Sequence, residues 1–384
     1  MGVREDLLRL AVEIGPRGAG THSEEKAASF LRERFEARGL QTSVEEFSSI
    51  STYSYLYIIY IGAAILGAWL SFWFVFAMAP IAIANAVLFA LDLETYPLLS
   101  RVLPHARSRN VVGEIPSEGG KVGLVITAHY DSSRAALSFH PRLVGGFRRT
   151  LSLMIGCVFA VAALTFANLV VWLSTGITNF WVWIAGIVAS AYLFVPLYIM
   201  IHREVVMTHT PGANDNASGV AAMLSLVDKM SEPESLVEGV LFVATGAEEA
   251  GTVGMIEFLK SHGGRIRDAF IVNLDNLGAG WLCYIDREGM LSGHRSDEVL
   301  LWLAGKVVEK KRLPLSRCSY RLLSTDATPA LVRGYRAMSV MAFDDKGMLP
   351  NWHWETDTIE NVDVSNIENA RAFVWNLARR IDLP

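Results

Sequence analysis

The residues of this chain whose types and placement could do chemistry together are His129-Tyr130-Asp131, Asp215, Glu248-Glu249, Asp275 and His353. Imidazole and carboxylate ligands in one set suit zinc or a similar first-row ion. Two ions held close together call for a bridging ligand, most simply a carboxylate. Taken singly, each group has a bland reading. A His-x-Asp is usually a strand end, and a Glu-Glu pair is usually a solvated turn. Asn214-Asp215-Asn216 before a helix is usually capping chemistry. The argument rests on the set arriving at one place. Other chemistry is poorly supplied. Cys157, Cys283 and Cys318 lie far apart without a CxxC pair. They point to a reducing compartment and give no sign of a thiolate site or a disulfide framework. A net charge of −5 offers no basic surface for nucleic acid.

The elements that must position this set follow from apolar patterning. Helices are predicted at Val3–Ile14 and Ser23–Arg38, the second with Ala27, Phe30, Leu31 and Phe35 on one face. Strands are predicted at Gln41–Phe47 and Asn110–Ile115. Four further apolar stretches of strand length are Val122–Ala128, Val240–Ala244, Phe270–Leu274 and Ala337–Phe343. Helical patterns such as Ala217–Met230 and Val299–Glu309 lie between them. Strands apolar on both faces and alternating with helices predict an α/β fold, with a mixed, mostly parallel central sheet covered on both sides. In open sheets of this kind, sites form outside the carboxyl ends of the strands. His129, Glu248 and Asp275 all follow strand ends directly.

The chain is 52% hydrophobic and only 19% charged. That excess is concentrated in two blocks. Leu151–Leu173 and Phe180–Ile201 are apolar runs of about 20 residues, the length of one bilayer crossing. Between them stands the polar break Ser174 to Asn179, flanked by Trp172, Trp181 and Trp183 as an interfacial belt would be. Tyr53–Leu91 is too long for one crossing and barely long enough for two, with Gly67 or Pro80 as the expected turn. Sequence on either side of each block builds one domain, so each block must cross an even number of times. The domain boundaries expected are 1–52, 93–150 and 202–384 for the soluble part and 53–92 and 151–201 for two transmembrane hairpins. Arg101, Arg107, Arg109, Arg142, Arg148, Arg149 and Arg203 all lie on the soluble side, and the hairpin tips carry no Lys or Arg. The positive-inside rule then makes the soluble domain cytoplasmic. Asn85 and Asn168, inside the spans, read as helix–helix hydrogen bonds.

These residues resemble the co-catalytic di-zinc aminopeptidases of metallopeptidase family twenty-eight, the aminopeptidase Y and leucyl aminopeptidase type. The family's hallmarks stand here in order as His129-Tyr130-Asp131, Gly212-Ala213-Asn214-Asp215-Asn216-Ala217-Ser218-Gly219, Glu248-Glu249, Asn273-Leu274-Asp275, and His353 with Asp357-Thr358. Gly15-Pro16-Arg17 with Gly20 matches as well. The resemblance spans nearly all the soluble sequence and skips both apolar blocks. It implies two zinc ions, with Asp215 bridging them. His129 and Asp275 would complete one site, and Glu249 and His353 the other. Glu248 would be the general base, and Asp131 would hold the His129 ring. The family's late Thr is Trp354 here, and its Ser-Asp segment appears as Ser324-Thr325-Asp326 with an extra residue. These departures fall in loops that line the family's substrate pocket. Asp326 is a candidate contact for a substrate amine, and Tyr320 reads first as a packing residue.

The expected function is a membrane-bound peptidase that removes amino-terminal residues. Its partners would be a peptide substrate and the lipid bilayer, with no indication of an oligomer. Two alternatives share the fold: a single-zinc glutaminyl cyclase-like acyltransferase, and a non-catalytic scaffold of a membrane complex.

Overall fold

The computed structural model describes residues 2–235 and 237–381. The chain divides into two compact units. One draws on 1–52, 104–135 and 209–384, the other on 53–103 and 136–208.

The first unit is a mixed α/β fold around a central sheet. Its strands are β1 (Gln41–Ser49), β2 (Ala106–Ile115), β3 (Leu124–His129), β4 (Val240–Thr245), β5 (Phe270–Leu274), β6 (Trp281–Glu288), β7 (His294–Arg295), β8 (Leu315–Ser319) and β9 (Arg336–Phe343). Their order is β1-β2-β4-β3-β5-β9-β6-β7, with β8 beside β6. The central strands β4, β3, β5 and β9 are mutually parallel. They are buried on both faces, and alternate residues feed two cores. Leu124, Ile126, Val240 and Phe242 pack toward α1 (Val3–Leu8), α2 (His22–Glu36), α8 (Ser218–Met230), α10 (Glu298–Lys311) and α12 (Val364–Ala378). Val125, Leu241, Val243 and Ile271 pack toward α9 (Val253–His262) and α11 (Ala327–Val332) on the opposite face. This is the period-two division that a doubly covered sheet requires.

The strands β6, β7 and β8 extend the sheet beyond the sequence reading. Strands β7 and β8 lack an unbroken apolar run, whereas β6 opens on the apolar residues 281–285, a signal that the sequence reading leaves unused. They also overturn the expectation for the cysteines: Cys283 and Cys318 form a disulfide with Cα atoms 5.7 Å apart. The parallel pairing of β6 with β8 places them side by side, although 35 residues separate them. Sequence spacing carries no trace of such a pairing.

The second unit is helical. It contains α3 (Ser54–Leu70), α4 (Val75–Leu93), α5 (Phe147–Thr175), α6 (Phe180–Ala191) and α7 (Phe194–Val205). Among the described residues, three segments are long and apolar enough to cross a membrane: Val75–Leu93, Val144–Thr175 and Phe180–Val205; the apolar helix Ser54–Leu70 is shorter. The first block turns at residues 71–74, and neither Gly67 nor Pro80 marks the turn as expected. Pro80 sits inside α4, a position that apolar helix bundles tolerate because neighbouring groups satisfy the freed carbonyl. Gly67 lies in α3 and faces Ala82 of α4. The actual turn, Ser71-Phe72-Trp73-Phe74, is as apolar as the helices it joins.

The two asparagines satisfy backbone, as read from sequence. Asn85 donates to Tyr60 O at 3.0 Å, tying α4 to α3. Asn168 Oδ1 accepts from Asn179 N at 2.8 Å, and its amide donates to Asn179 O. The two helical turns meet: the Thr178 hydroxyl donates to Phe72 O. Around them Phe72, Trp73, Phe180 and Trp183 form a ring cluster with centroids 5.0–6.4 Å apart.

Both excursions into the helical unit leave the first unit and return to it at paired residues. Ser49 pairs with Ala106 at the end of the β1–β2 ladder, and Arg134 bridges to His209.

Candidate metal centre

Three adjacent parallel strands deliver the centre from their carboxyl ends. His129 is the last residue of β3 and lies beside Thr245, the last of β4. Glu248 and Glu249 follow β4 by one short turn, and Asp275 directly follows β5. Asp215 arrives from the loop that opens α8, and His353 from the loop after β9. His353 adopts φ +47°, a left-handed conformation that is uncommon for a histidine and typical of functional loops.

The structure brings all seven sequence-predicted residues together. Asp215 is central. Its Oδ1 stands 3.2 Å from His129 Nε2, and its Oδ2 stands 3.0 Å from His353 Nε2. Around His129 Nε2 lie Asp275 Oδ1 at 3.8 Å and Glu248 Oε2 at 4.0 Å. Around His353 Nε2 lies Glu249 Oε1 at 3.0 Å. The donors thus fall into two groups, each with one imidazole and its own oxygen of Asp215. Ligand atoms of His129, Asp215 and Glu249 all lie within 4.8 Å of one another. His129, Asp215, Glu249, Asp275 and His353 are all at most 8% exposed.

Asp131 organises this set from behind. Its two oxygens accept the backbone N–H groups of Glu248 and Glu249, each at 3.1 Å. Its Oδ1 lies 3.4 Å from His129 Nδ1. One carboxylate therefore anchors the turn that carries two acids and stands beside the His129 ring. Asp357 does the same for Asp215, accepting from Asn214 N at 2.6 Å and Asp215 N at 3.2 Å. The asparagines beside Asp215 do more than cap a helix. Asn214 Oδ1 accepts from Gly278 N, and Asn216 binds Leu274 O and Asn276 N. They stitch the Asp215 loop to the loop that carries Asp275. Gly219 permits this closeness, because a Cβ there would lie 2.3 Å from Leu274 O.

The electrostatics call for positive charge. Burial pushes Glu248 well above the usual carboxylate range, and its neighbours Glu249, Asp326 and Asp275 add to this. Burial opposes protonation of His353, yet Glu249 and Asp215 overcome it and push the ring up to about 9. Asp215 is held below its ordinary value despite burial, by its contacts with His129 and His353. Without a cation, the acids draw protons onto the imidazoles. Glu249 Oε1 is buried and accepts no hydrogen bond among the described residues, although His353 Nε2 is close by. Converging acceptors of this kind fit a divalent ion, which supplies charge without needing a donor proton.

Asp326, the candidate contact for a substrate amine, is close enough to Glu248 to raise its pKa electrostatically. It is fully buried and accepts a hydrogen bond from the Thr245 hydroxyl at the end of β4. Burial pushes it up to about 7. Tyr320 is 3% exposed, and its hydroxyl accepts from Leu323 N. The braces formed by Asp357 and by the buried Arg17 and Glu24 are not assigned from sequence. All three act on main-chain atoms, which leave no side-chain pattern to read.

Residues 196–378 match the model of peptidase family M28. No curated protein matches the chain in sequence. Solved structures do match in fold. A zinc aminopeptidase from Bacillus subtilis is 16% identical with a TM-score of 0.57, over 98% of this chain and 93% of that one. A leucine aminopeptidase precursor from Bacteroides thetaiotaomicron is 13% identical with a TM-score of 0.57, over 99% and 96%. A glutaminyl cyclase from the same organism is 14% identical with a TM-score of 0.58, over 99% and 97%. By family match over residues 196–378 and by fold over nearly its whole length, the chain is similar to the M28 peptidases and the zinc aminopeptidases.

Proposed function

We propose that the chain is a membrane-embedded metallopeptidase holding two zinc ions, and that it removes amino-terminal residues from peptides. The observation that carries this reading is Asp215, whose two oxygens each face a different histidine. His129, Asp215 and Asp275 would hold one ion, and His353, Asp215 and Glu249 the other. Bound ions would lower the pKa of water and polarise a scissile carbonyl. Glu248 is the general base. Its N–H is anchored by Asp131, and its carboxylate approaches the His129 group without belonging to the second cluster. It takes the proton of the attacking water and passes it to the departing amine.

The four apolar segments anchor the protein in the bilayer as two hairpins. Each excursion starts and ends in the same sheet-bearing unit, which supports an even number of crossings. Flanking arginines and uncharged tips favour a cytoplasmic peptidase unit. The Cys283–Cys318 bond weighs the other way, because such bonds persist mainly in oxidising compartments. We orient by the arginines. A cysteine at Gly176 that reacts with an impermeant maleimide only from the cytoplasmic side would reverse that choice.

Metal analysis of purified protein should find two zinc ions per chain. The Glu248→Gln protein should retain them and lose about 10²–10⁴-fold in peptide hydrolysis. A protein that takes up no metal, or a variant that still hydrolyses peptides at the original rate, would refute the assignment. The glutaminyl cyclase neighbour supports a second reading. It requires one zinc and ammonia release from an amino-terminal glutamine, so stoichiometry and an ammonia assay separate the two.

A further inference from the structure

Arg17 is fully buried, and among the described residues none of its bonds goes to a carboxylate. Its guanidinium instead donates to five carbonyl oxygens. They are Tyr130 O at 2.7 Å, Leu10 O and Gly15 O at 3.2 Å, Pro211 O at 2.5 Å and Gly212 O at 2.8 Å. Tyr130 stands between His129 and Asp131. Gly212 stands three residues before Asp215. A second bond pair reinforces the contact: Arg17 N donates to Ser132 Oγ, and Ser132 N donates to Arg17 O.

Glu24, in the first turn of α2, holds a third loop. Its Oε1 accepts from Ala247 N at 3.2 Å and from the Ser108 hydroxyl at 2.6 Å, and its Oε2 accepts from Gly20 N at 2.7 Å. Ala247 immediately precedes Glu248 and adopts φ +51°, so the turn needs outside support. The site before it admits only glycine, since a Cβ on Gly246 would lie 2.5 Å from Ser108 Oγ and 2.9 Å from Glu24 Oε1. One short segment, residues 15–24, therefore grips the three loops that carry His129, Asp215 and the Glu248-Glu249 pair. That segment lies outside the stretch matched by the family model.

We propose that Arg17 and Glu24 are positioning residues that set the spacing between the two halves of the metal centre, acting on its loops from the amino-terminal segment. A planar five-donor fork fixes the relative placement of two loops more sharply than separate contacts would. Metal sites depend on such outer supports, whose loss typically costs about 10–100-fold in metal affinity. This inference rests on the two-metal reading.

The test is metal binding by the full-length protein in detergent, stripped with chelator and titrated with Co²⁺, read by affinity and by the d–d absorption band. Arg17→Met should weaken binding of at least one ion about 10–100-fold and alter the band. Arg17→Lys, which keeps the charge and some donors, should recover part of the loss. Arg34→Met removes another buried arginine, one bonded to Asp6 and Asp228. It should lower the unfolding temperature and leave affinity and spectrum unchanged. If Arg17→Met does not fold, Glu24→Gln carries the test, with weakened binding and an altered band expected. Arg17 and Glu24 variants that match the wild-type affinity and spectrum overturn this inference alone. A wild-type protein that binds no Co²⁺ overturns the two-metal reading, and this inference with it.

Discussion

The two units treat buried polar groups on opposite terms. The helical unit buries amides, and each finds backbone partners: Asn85 reaches Tyr60 O, and Asn168 closes on Asn179. Some of its large aromatics face outward, with Trp73 65% and Trp181 76% exposed, while Tyr60 and Phe89 are buried. The sheet-bearing unit buries acids and imidazoles that face one another across the ends of β3, β4 and β5. A buried polar group that is satisfied within the chain holds structure. A buried set of mutually facing acceptors is left short of positive charge, which must come from outside. The first arrangement suits surroundings that supply no hydrogen bonds. The second suits a site that takes up a cation.

The comparison is broken most severely at Asp215. Asp215→Asn should lose both ions and reduce hydrolysis by about 10³-fold or more, measured by metal content and turnover, with the circular dichroism spectrum retained. If Asp215→Asn keeps two ions, the acceptor set is structural, and the contrast between the two units collapses. Asp131→Asn leaves the ligands in place but disturbs the His129 ring and the Glu248-Glu249 turn. It should weaken metal binding about 10–100-fold in a chelator competition.

A smaller effect concerns pH. Burial raises Glu24 from 4.5 to about 8, with Asp131 adding to the shift. A carboxyl whose folded pKa lies above its unfolded value makes the native state bind more protons in between. Stability is then full below about 4.5 and is lost as pH rises toward about 8. Chelator-stripped protein should therefore unfold more easily at pH 8 than at pH 5, by on the order of a few kcal/mol. Zinc should oppose this trend, because ligand deprotonation favours binding at higher pH. Thermal unfolding in matched buffers with and without zinc reads both slopes. The smallest effect belongs to the helical unit. Asn85→Leu removes one helix–helix bond and should cost about 0.5–2 kcal/mol in detergent unfolding, with metal content and turnover unchanged.

Much of this contrast is legible in the amino-acid order. Apolar runs such as Val240–Ala244 and Phe270–Leu274 announce doubly buried strands, and the polar residues that follow each run mark the edge where a site forms. That places His129, Glu248-Glu249 and Asp275 together from the sequence alone. Asp215 and His353 come from loops, Asp215 at the opening of a helix and His353 after the last strand, and the family resemblance adds their roles as ligands. The gaps have physical causes. The strand β8 mixes polar and charged residues, so no apolar run betrays it, whereas β6 opens on the apolar residues 281–285 and ends on Asp286, Arg287 and Glu288. The disulfide depends on their pairing and stays hidden with it. The turn at 71–74 uses Phe and Trp where a soluble protein would use Gly or Pro. Arg17, Glu24 and Asp357 bind main-chain atoms, and any sequence offers those everywhere.

The pinched exits at Ser49–Ala106 and Arg134–His209 have a consequence for biogenesis. The strand β1 cannot find β2 until the first hairpin has been made and stowed, and β3 cannot find β4 until the second has. Of the five proposed ligands, His129 is translated before the second hairpin and the other four after it. A ribosome working along this message would release the last proposed ligands only after both apolar hairpins had been synthesised. Under the proposed topology, assembly of the proposed metal centre follows insertion, and a nascent chain that misses the membrane would have no early opportunity to complete it.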